Sequence, residues 1–584
     1  MRGGVLCLCK AIAGHGCLRK FMSRIVSLLV FVLMAVFFGC FFAYPIWMAV
    51  RAAFETPDHE FTCEFMVEIF QNPLYRQGLL NSFWIACWTS LGCLVVSLPL
   101  ALLYVRYDFP GKTLFNSLVL TPMVLPPFVG AIGIKAVLGQ QGALNSLLLH
   151  LGLMSRDRPV DWFAEWQMAG IVIMEVLHLY PVLYLNVSAS LANVDPAMEE
   201  AAASLGCPPW KRLWRVTLPM AMPGVFAGGT IVFIWAFTEL GVPLVFDFER
   251  VTAVQIFRSL NDLSGNPFPY ALVVIMLVIS IMVYGLSRFC LGQSSASGGD
   301  RALMAREVMV LGPKGKWIAV GFFAMVTGLA IVPHLGVVFL SFSRDWYATV
   351  LPESLTLSHY RAALGHELTL SSITNSLKYS GFALGVALLL GTGVAYVNVR
   401  TRLWGRQALD LMAMLPLAVP GIVVAFGYLA MTRPGQPFDW LIWGEDPFFL
   451  LVIAYAVRRL PYVVRAASAG FQQVSPLLEE AAQNLGARPE RAMWRVTLPL
   501  VAPHIAAGGL LAFAFAMLEV SDSMILAQQA AHFPITKAIY TLILSLGSGP
   551  QIASALGVWA MIFLSITIIG VGLIVGKRLG ALFR

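Results

Sequence analysis

This chain contains one polar stretch twice, as EEAAASLGCPPWKRLWRVTLPMAMP over residues 199–223 and as EEAAQNLGARPERAMWRVTLPLVAP over residues 479–503. The two copies agree at 14 of 25 positions, at a constant offset of 280 residues. Most of the remaining chain is apolar, and apolar segments do not require such agreement. A polar loop that is held this closely in two places indicates a docking surface rather than a linker.

The composition predicts an all-α integral membrane protein. Of the 584 residues, 58% are hydrophobic and 12% are charged, and the mean hydropathy is +0.77. Soluble domains carry about 25% charged residues. Apolar segments of about 20 residues predict membrane-spanning helices. About twelve such segments are predicted, at 25–49, 81–105, 114–138, 168–190, 223–246, 270–290, 317–341, 374–397, 408–431, 447–470, 503–527 and 553–576.

The net charge of +8 does not indicate nucleic-acid binding, because the basic residues follow the positive-inside rule of membrane proteins. They cluster before the first span and then in every second loop, including both copies of the repeated stretch. With twelve spans, all these clusters lie on one side. Both termini and both repeated loops are therefore expected in the cytoplasm, and the acidic loop 51–80 is expected outside.

Further matches show that the repeat extends along both halves of the chain. Asn81 and Ser82 match Asn375 and Ser376 at an offset of 294. Spans three and nine are broken in matching places, by Pro122, Pro126 and Pro127 and by Pro416 and Pro420 with Gly421. Such breaks suit helices that flex or line a cavity, or ordinary kinked packing. The matching pairs are Pro122 with Pro416, Pro126 with Pro420 and Gly133 with Gly427.

Six spans in each half give both copies the same membrane orientation, so the repeats are parallel. The predicted organisation is a cytoplasmic segment at 1–24, a first repeat at 25–290, a linker at 291–316 and a second repeat at 317–584. The change of offset places about 14 extra residues in the first half, most simply in the outer loop at 139–167.

Each repeated stretch begins with a helix start signal, Asp195-Pro196 in the first copy and Ser475-Pro476 in the second. Gly206 and Gly486 are expected to end these helices in left-handed caps. A second short helix should follow, and the prolines at 219, 223, 499 and 503 are expected to stop it. The pattern predicts a helix–turn–helix elbow on the cytoplasmic face. The alternative is a pair of interfacial helices that only anchors the fold.

These elbows resemble the EAA loop of binding-protein-dependent ABC importer permeases of the type I fold. In that family the loop inserts into a groove of the ATPase subunit. Two loops in one chain are similar to the fused permeases of ferric-iron importers, whose relatives include thiamine and aminoethylphosphonate importers. The resemblance assigns ATPase coupling to Glu199, Glu200, Ala201, Ala202 and Gly206, and to Glu479, Glu480, Ala481, Ala482 and Gly486.

The same resemblance implies the partners and the location. The partners are an ABC ATPase dimer, with one subunit on each loop, a periplasmic or lipid-anchored solute-binding protein, and membrane lipid, with no nucleic acid. The location is the bacterial inner membrane. The sequence Phe109-Pro110-Gly111-Lys112-Thr113 lacks the first glycine of a phosphate-binding loop, since Arg106 occupies its position. This chain is therefore expected to be no enzyme and to bind no cofactor, with ATP and Mg²⁺ held by the partner ATPase.

Ionisable residues inside predicted spans are costly and usually face the bundle interior or a water path. One interpretation is that Glu239, Glu519 and Asp522 line a cation path. The alternative is internal ion pairing, such as Arg458 or Arg459 with Glu519. Neither predicts a metal site, because these residues do not form a metal cage. The candidates for the translocation path are Glu239, Glu519, Asp522, Glu175, His178, Arg458 and Arg459.

The predicted function is transport of a solute, with ferric iron as the first substrate hypothesis. Thiamine, 2-aminoethylphosphonate and polyamines are alternatives for the same machinery. An ion-coupled secondary transporter is an alternative of another class, since parallel repeats of six helices also occur there. The paired elbows argue against that alternative.

Overall fold

The structure is a computed structural model that describes residues 28–56, 60–155, 159–162, 166–262, 267–291, 309–401, 403–442 and 444–582. The predicted cytoplasmic segment at 1–24 and most of the predicted linker at 291–316 lie outside these residues. The described chain is almost entirely helical, and its two-residue strands β1 (Tyr107–Asp108) and β2 (Met309–Val310) pair in parallel. The predicted all-α class is confirmed.

The helices follow the same order in the two halves of the chain. The first half contains α1 (Leu28–Ala53), α2 (Glu64–Gln71), α3 (Pro73–Arg106), α4 (Lys112–Val119), α5 (Pro127–Leu138), α6 (Ala143–His150), α7 (Gln167–Ala192), α8 (Pro196–Ser204), α9 (Pro209–Arg212), α10 (Leu218–Phe237), α11 (Gly241–Val245), α12 (Thr252–Arg258) and α13 (Phe268–Leu291). The second half contains α14 (Pro313–Phe342), α15 (Ser358–Gly365), α16 (Glu367–Arg400), α17 (Arg406–Met414), α18 (Gly421–Met431), α19 (Phe448–Gln473), α20 (Pro476–Asn484), α21 (Pro489–Ala492), α22 (Leu498–Met517), α23 (Ser521–Leu526), α24 (Ile535–Ile543) and α25 (Gly549–Leu582). Helix α6 lies within residues 139–167, where the extra residues of the first half were expected.

Within the described residues, nine helices are long and apolar enough to cross a membrane, or up to eleven if each of two bent helix pairs is one span. The bends, of 96° and 101°, fall at the predicted proline breaks before α5 and α18. Pro126 and Pro420 both have an extended backbone there, with ψ of 138°. The remaining predicted span, at 447–470, corresponds to α19, whose 26 residues include three arginines.

The first helix of each half packs against the opposite half. Helix α1 lies on α18, and α14 lies on α5. The backbones approach so closely that a Cβ atom added to Gly133 would lie 2.1 Å from the carbonyl oxygen of Pro333, and one added to Gly427 would lie 2.3 Å from that of Pro45. Glycine is required at both positions because it alone has no Cβ. These two contacts, called the seams below, interlock the halves.

The repeated prolines do not stop the second helix of each elbow, so that expectation is wrong. Helix α9 runs through the wide turn Leu213–Thr217 into α10, and α21 runs through Met493–Thr497 into α22. In each wide turn a backbone N–H bonds five residues back, from Leu218 to Leu213 in the first half. The wider turn accommodates Pro219, which has no N–H to donate and a ring that crowds an ordinary helix. The prolines therefore shape a continuous helix.

Lys537 on α24, outside the spanning helices, leads to a prediction about pH. Its Nζ donates to the carbonyl oxygen of Met524 at 2.9 Å and to that of Ala527, at the end of α23. Burial lowers the pKa of Lys537 from its usual 10.5 to about 8. The unfolded chain therefore binds the proton more tightly than the folded one, so stability attributable to this residue rises as the pH increases from about 8 towards 10.5.

We expect the thermal unfolding midpoint of the wild type, relative to Lys537→Met, to be higher at pH 9.5 than at pH 7. The difference between the two proteins cancels the titration of the remaining lysines. Lys378→Met on α16, whose side chain makes no charge contact among those described, is the matched control. A wild-type advantage that is the same at both pH values would contradict the assignment.

Candidate functional site: two coupling loops and a cavity between the halves

The first coupling loop (residues 195–223) and the second coupling loop (residues 475–503) have the predicted helix starts and ends. Asp195 Oδ1 accepts a hydrogen bond from the backbone N–H of Ala197 at 2.9 Å. Ser475 Oγ accepts one from Leu477 N–H at 3.3 Å. The glycine caps at 206 and 486 are left-handed, with φ of 77° and 92°. Each loop therefore begins with a short capped helix, α8 or α20, which is called its coupling helix below.

Both coupling loops present apolar side chains to the surroundings. Helices α8 and α20 are fully described, and neither contains a buried residue. Leu205 is 88% exposed and its counterpart Leu485 is 90% exposed. Trp214 and Trp494 are also exposed, at a second pair of matching positions. Exposed apolar groups rimmed by polar residues mark sites of protein or membrane interaction, so the surface of each loop suits docking or interfacial anchoring.

The two glutamates of each pair differ in their surroundings. Glu200 and Glu480 are exposed, as are Ala201 and Ala481, whereas Ala202 and Ala482 are half-buried. The sequence does not distinguish the two glutamates of a pair. In the structure, the first glutamate of each pair is half-buried and the second is exposed.

Glu199 points inward, towards Arg106 at the end of α3. It forms an ion pair with Arg106, and it accepts a hydrogen bond from Thr217 Oγ1 at 2.5 Å. In the second half, Glu479 accepts a hydrogen bond from Thr497 Oγ1 at 2.6 Å. Its other neighbour is Arg400 at the end of α16, with Nε 3.6 Å from its carboxylate.

Sequence reasoning missed these arginines and threonines, although a signal was present. Arg106 matches Arg400 at the offset of 294, and Thr217 matches Thr497 at the offset of 280. Polar residues that occur at matching positions in both halves were candidates for the same structural or functional role in each half.

A cavity of about 950 Å³, including its open mouth, lies between the two halves. Equivalent elements of both halves line it: the proline breaks before α5 and α18, the middle of α7 and α19, and the ends of α10 and α22. His178, Glu239, Arg458, Arg459 and Glu519 line this cavity. The structure thus brings five of the seven candidates for the translocation path to one place.

Arginine–carboxylate pairs dominate the second-half wall of the cavity. Arg458 Nη1 lies 2.6 Å from Glu519 Oε1 and 3.5 Å from Asp522 Oδ2, and Arg459 Nη2 binds the other oxygen of Glu519. Glu519 is 3% exposed and Asp522 is 1% exposed. These are the ion pairs that the alternative interpretation expects. They oppose a uniformly anionic wall on this side.

The first-half wall is different. Glu239 caps α11 by accepting hydrogen bonds from the backbone N–H of Gly241 and of Val242, at 3.0 and 3.3 Å. His178, which occupies the position of Arg458, has Nδ1 2.9 Å from the carbonyl oxygen of Pro122. Glu175 is buried behind this wall, where it accepts a hydrogen bond from Thr89.

The two halves also differ at the residue that follows the second proline of each break. A Cβ at Gly421 would lie 1.8 Å from Arg458 Nη1, so the guanidinium passes directly over this glycine. The corresponding residues in the first half are Pro127 and His178. In the second half, the arginine side chain thus lies over a glycine, whereas the first half has a histidine and a proline at these two positions. Across the described ranges, no group of three or more His, Cys, Asp or Glu side chains could hold a metal ion.

Comparisons with known proteins agree with this architecture. The family model described as "Binding-protein-dependent transport system inner membrane component" matches twice, over residues 94–291 and 383–580. The chain is 25% identical to the probable ABC transporter permease protein y4fN of Sinorhizobium fredii, covering 79% of this chain and 81% of that protein. It is 25% identical to the ferric transport system permease protein FbpB of Actinobacillus pleuropneumoniae, covering 85% of this chain and 71% of that protein.

Two further similarities cover about half of the chain. The putative 2-aminoethylphosphonate transport system permease protein PhnU of Salmonella typhimurium is 26% identical over 42% of this chain and 86% of that protein. A crystal structure of a bacterial ABC transporter involved in alginate import aligns with 46% of this chain and 98% of that chain, at 20% identity and a TM-score of 0.34. Because the family model matches both halves, this chain belongs to the family of inner membrane components of binding-protein-dependent transport systems, as a fused permease with two copies of the family domain.

Proposed function

We propose that this permease carries ferric iron into the cell, delivered by a solute-binding protein and driven by a separate ATPase dimer docked on the two coupling loops. The observation that carries the ATPase part is the pair of exposed leucines, Leu205 and Leu485, at matching positions of the two loops. The substrate part is supported by relatives named as ferric transport permeases, which match across both halves.

The proposed mechanism has two states. ATP binding closes the ATPase dimer and draws the two coupling loops together. The halves then turn from an inward-facing to an outward-facing state, and the docked binding protein releases its ligand into the cavity. Hydrolysis restores the inward-facing state. The chain itself binds no ATP or Mg²⁺ in this scheme, and both termini and both coupling loops lie in the cytoplasm, in keeping with the basic loops.

Docking is tested by replacing the exposed leucines. We expect the tagged permease, co-expressed with the ATPase encoded beside it, to recover that ATPase from membranes. The double variant Leu205→Asp with Leu485→Asp should lower the recovery by roughly tenfold or more, since central apolar anchors of an interface are worth about 2 kcal/mol or more. Leu546→Asp, a fully exposed leucine in the loop between α24 and α25, is the matched control. Equal recovery with all three proteins would contradict docking through the coupling loops.

The substrate is tested by uptake of radioactive ferric iron into cells that express the permease with its ATPase and binding protein. ATP-dependent iron uptake that 2-aminoethylphosphonate, thiamine and putrescine do not inhibit supports the proposal. A second candidate, 2-aminoethylphosphonate, is favoured by the similarity to a relative named as a putative 2-aminoethylphosphonate transport system permease protein. If the cells take up that compound and do not take up iron, 2-aminoethylphosphonate replaces ferric iron as the proposed substrate.

The same assay separates the importer from an ion-coupled transporter. Uptake that continues without the ATPase, and that collapses when the proton gradient is dissipated, would overturn the proposal in favour of secondary transport.

A further inference from the structure

We infer that Arg106–Glu199–Thr217 and Arg400–Glu479–Thr497 are positioning triads, which carry the movement of each coupling helix to the inner end of a span that is not its neighbour in sequence. This inference rests on the proposed docking of an ATPase and deepens it. Glu199 and Glu479 then act inside the permease, while the exposed side chains of the loops contact the ATPase.

The ion pair of the first triad is largely buried. The side chain of Glu199 is 13% exposed and that of Arg106 is 12% exposed, so most of this ion pair is closed to a partner protein. The hydroxyl of Thr217 is in contact with both, since Arg106 Nη2 lies 2.5 Å from Thr217 Oγ1. A carboxylate that binds a guanidinium and a hydroxyl is held in a fixed orientation, and these two groups use its hydrogen-bonding capacity.

The three residues of the first triad lie on three different segments of the chain. Arg106 ends α3, Glu199 lies on the coupling helix α8, and Thr217 lies in the wide turn before α10. The first triad thus joins three segments that lie up to 111 residues apart along the chain, from Arg106 to Thr217, and the second joins segments up to 97 residues apart, from Arg400 to Thr497. A displacement of the coupling helix cannot leave the end of α3 behind without breaking an ion pair that is largely shielded from water.

The second triad repeats the first, with one additional contact. The second half contains the same three residue types at the same places, but Arg400 lies 3.6 Å from Glu479 and also donates from Nη2 to the carbonyl oxygen of Val474 at 2.7 Å. Val474 lies between α19 and α20. The second triad therefore ties the coupling helix to the ends of two spans, α16 and α19.

The first triad also has a route into the opposite half. Arg106 directly precedes strand β1, which pairs with β2. Strand β2 leads into α14, and α14 packs on α5. Movement at the first coupling loop is thereby linked to the helix that spans the seam.

The test separates docking from transmission. Thr217→Val with Thr497→Val removes both hydroxyls and keeps the side-chain shape, and Glu199→Gln with Glu479→Gln removes both charges. Fluorescent non-natural amino acids at Leu153 and Leu546, on the outer loops of the two halves, report ATP-driven motion in nanodiscs without any transported solute. We expect ATPase recovery within about twofold of wild type and a roughly tenfold fall in the fraction of complexes that respond to ATP.

Three controls make the outcome decisive. Thr217→Ser with Thr497→Ser keeps the hydroxyls and should behave as wild type. Arg400→Glu with Glu479→Arg should recover part of the response that either single reversal loses. Glu249→Gln, which removes an exposed ion pair with Arg258, should change nothing. A wild-type ATP response in the valine and glutamine variants would overturn the inference.

Loss of ATPase recovery in the glutamine variant, with the response per bound complex intact, would also overturn it, because the glutamates would then be direct ATPase contacts. Failure of the wild-type chain itself to recover an ATPase would instead refute the proposed function. The two failures are therefore distinguishable.

Discussion

Gly133→Val should yield little or no correctly folded permease. A Cβ at this position meets the carbonyl oxygen of Pro333 at 2.1 Å and the backbone nitrogen of Val337 at 2.6 Å. Both atoms belong to the main chain of α14, so no side-chain rotation relieves the clash. Overpacking usually costs about 1–3 kcal/mol, and a clash with fixed backbone at a seam belongs at or above the top of that range. Gly427→Val should fail in the same way, against Pro45 of α1.

The measurement is the amount of monodisperse protein extracted from membranes, together with its thermal unfolding midpoint. Gly328→Val on α14 and Gly39→Val on α1 are matched controls, because an added Cβ meets no atom within 4 Å at either site. We expect the seam variants to lose most of the extractable protein and the controls to keep it. Equal yields from all four variants would show that the seams are not close-packed.

Glu519→Gln should destabilise the permease far more than Glu239→Gln, although the two residues occupy matching positions. Glu519 is the shared partner of Arg458 and Arg459, so its loss leaves two guanidinium groups facing each other beside Asp522 alone. Removing one partner of a buried ion pair costs about 3–5 kcal/mol. Glu239 bonds to backbone N–H groups, and an amide oxygen can accept those bonds at a cost of about 1 kcal/mol.

Thermal unfolding of the two variants in one detergent compares these costs directly. Glu519→Leu with Arg459→Leu should recover part of the loss, since a buried pair replaced by apolar groups is often nearly neutral. The pair of Arg458 with Asp522 remains in that variant. Equal midpoints for Glu519→Gln and Glu239→Gln would mean that water in the cavity screens the arginines.

The sequence was sufficient to find the two coupling loops, their caps, the broken spans and the parallel repeat, because each of these depends on local chemistry repeated at a fixed offset. Left-handed Gly206 and Gly486 follow from helix-capping rules alone. The prediction that prolines end the second helix of each elbow was wrong for an equally local reason. A wide turn before the proline removes the need for its missing N–H, and the proline alone does not predict that turn.

The partners of long-range contacts could not be predicted. Gly133 and Gly427 were recognised as a matching pair, but their role depends on α14 and α1, and apolar helices carry little information about which neighbour they choose. The same holds for Arg106, whose partner lies 93 residues away (Arg106 to Glu199). The ion pairing of Arg458 was one of two interpretations, and only the geometry of α19 against the end of α22 distinguishes them.

The two seams also constrain the order in which this protein can be synthesised and folded. The ribosome must add 382 residues after Pro45 before Gly427 exists to receive it. At about 5–20 residues per second, α1 waits roughly 20–75 s in the membrane without its final neighbour. The first half is therefore synthesised before its packing is complete, and the glycine face of α5 stays uncovered until α14 has been synthesised and packs on it. Membrane insertion factors that shield such faces should bind the nascent chain during this interval and leave once the second seam closes.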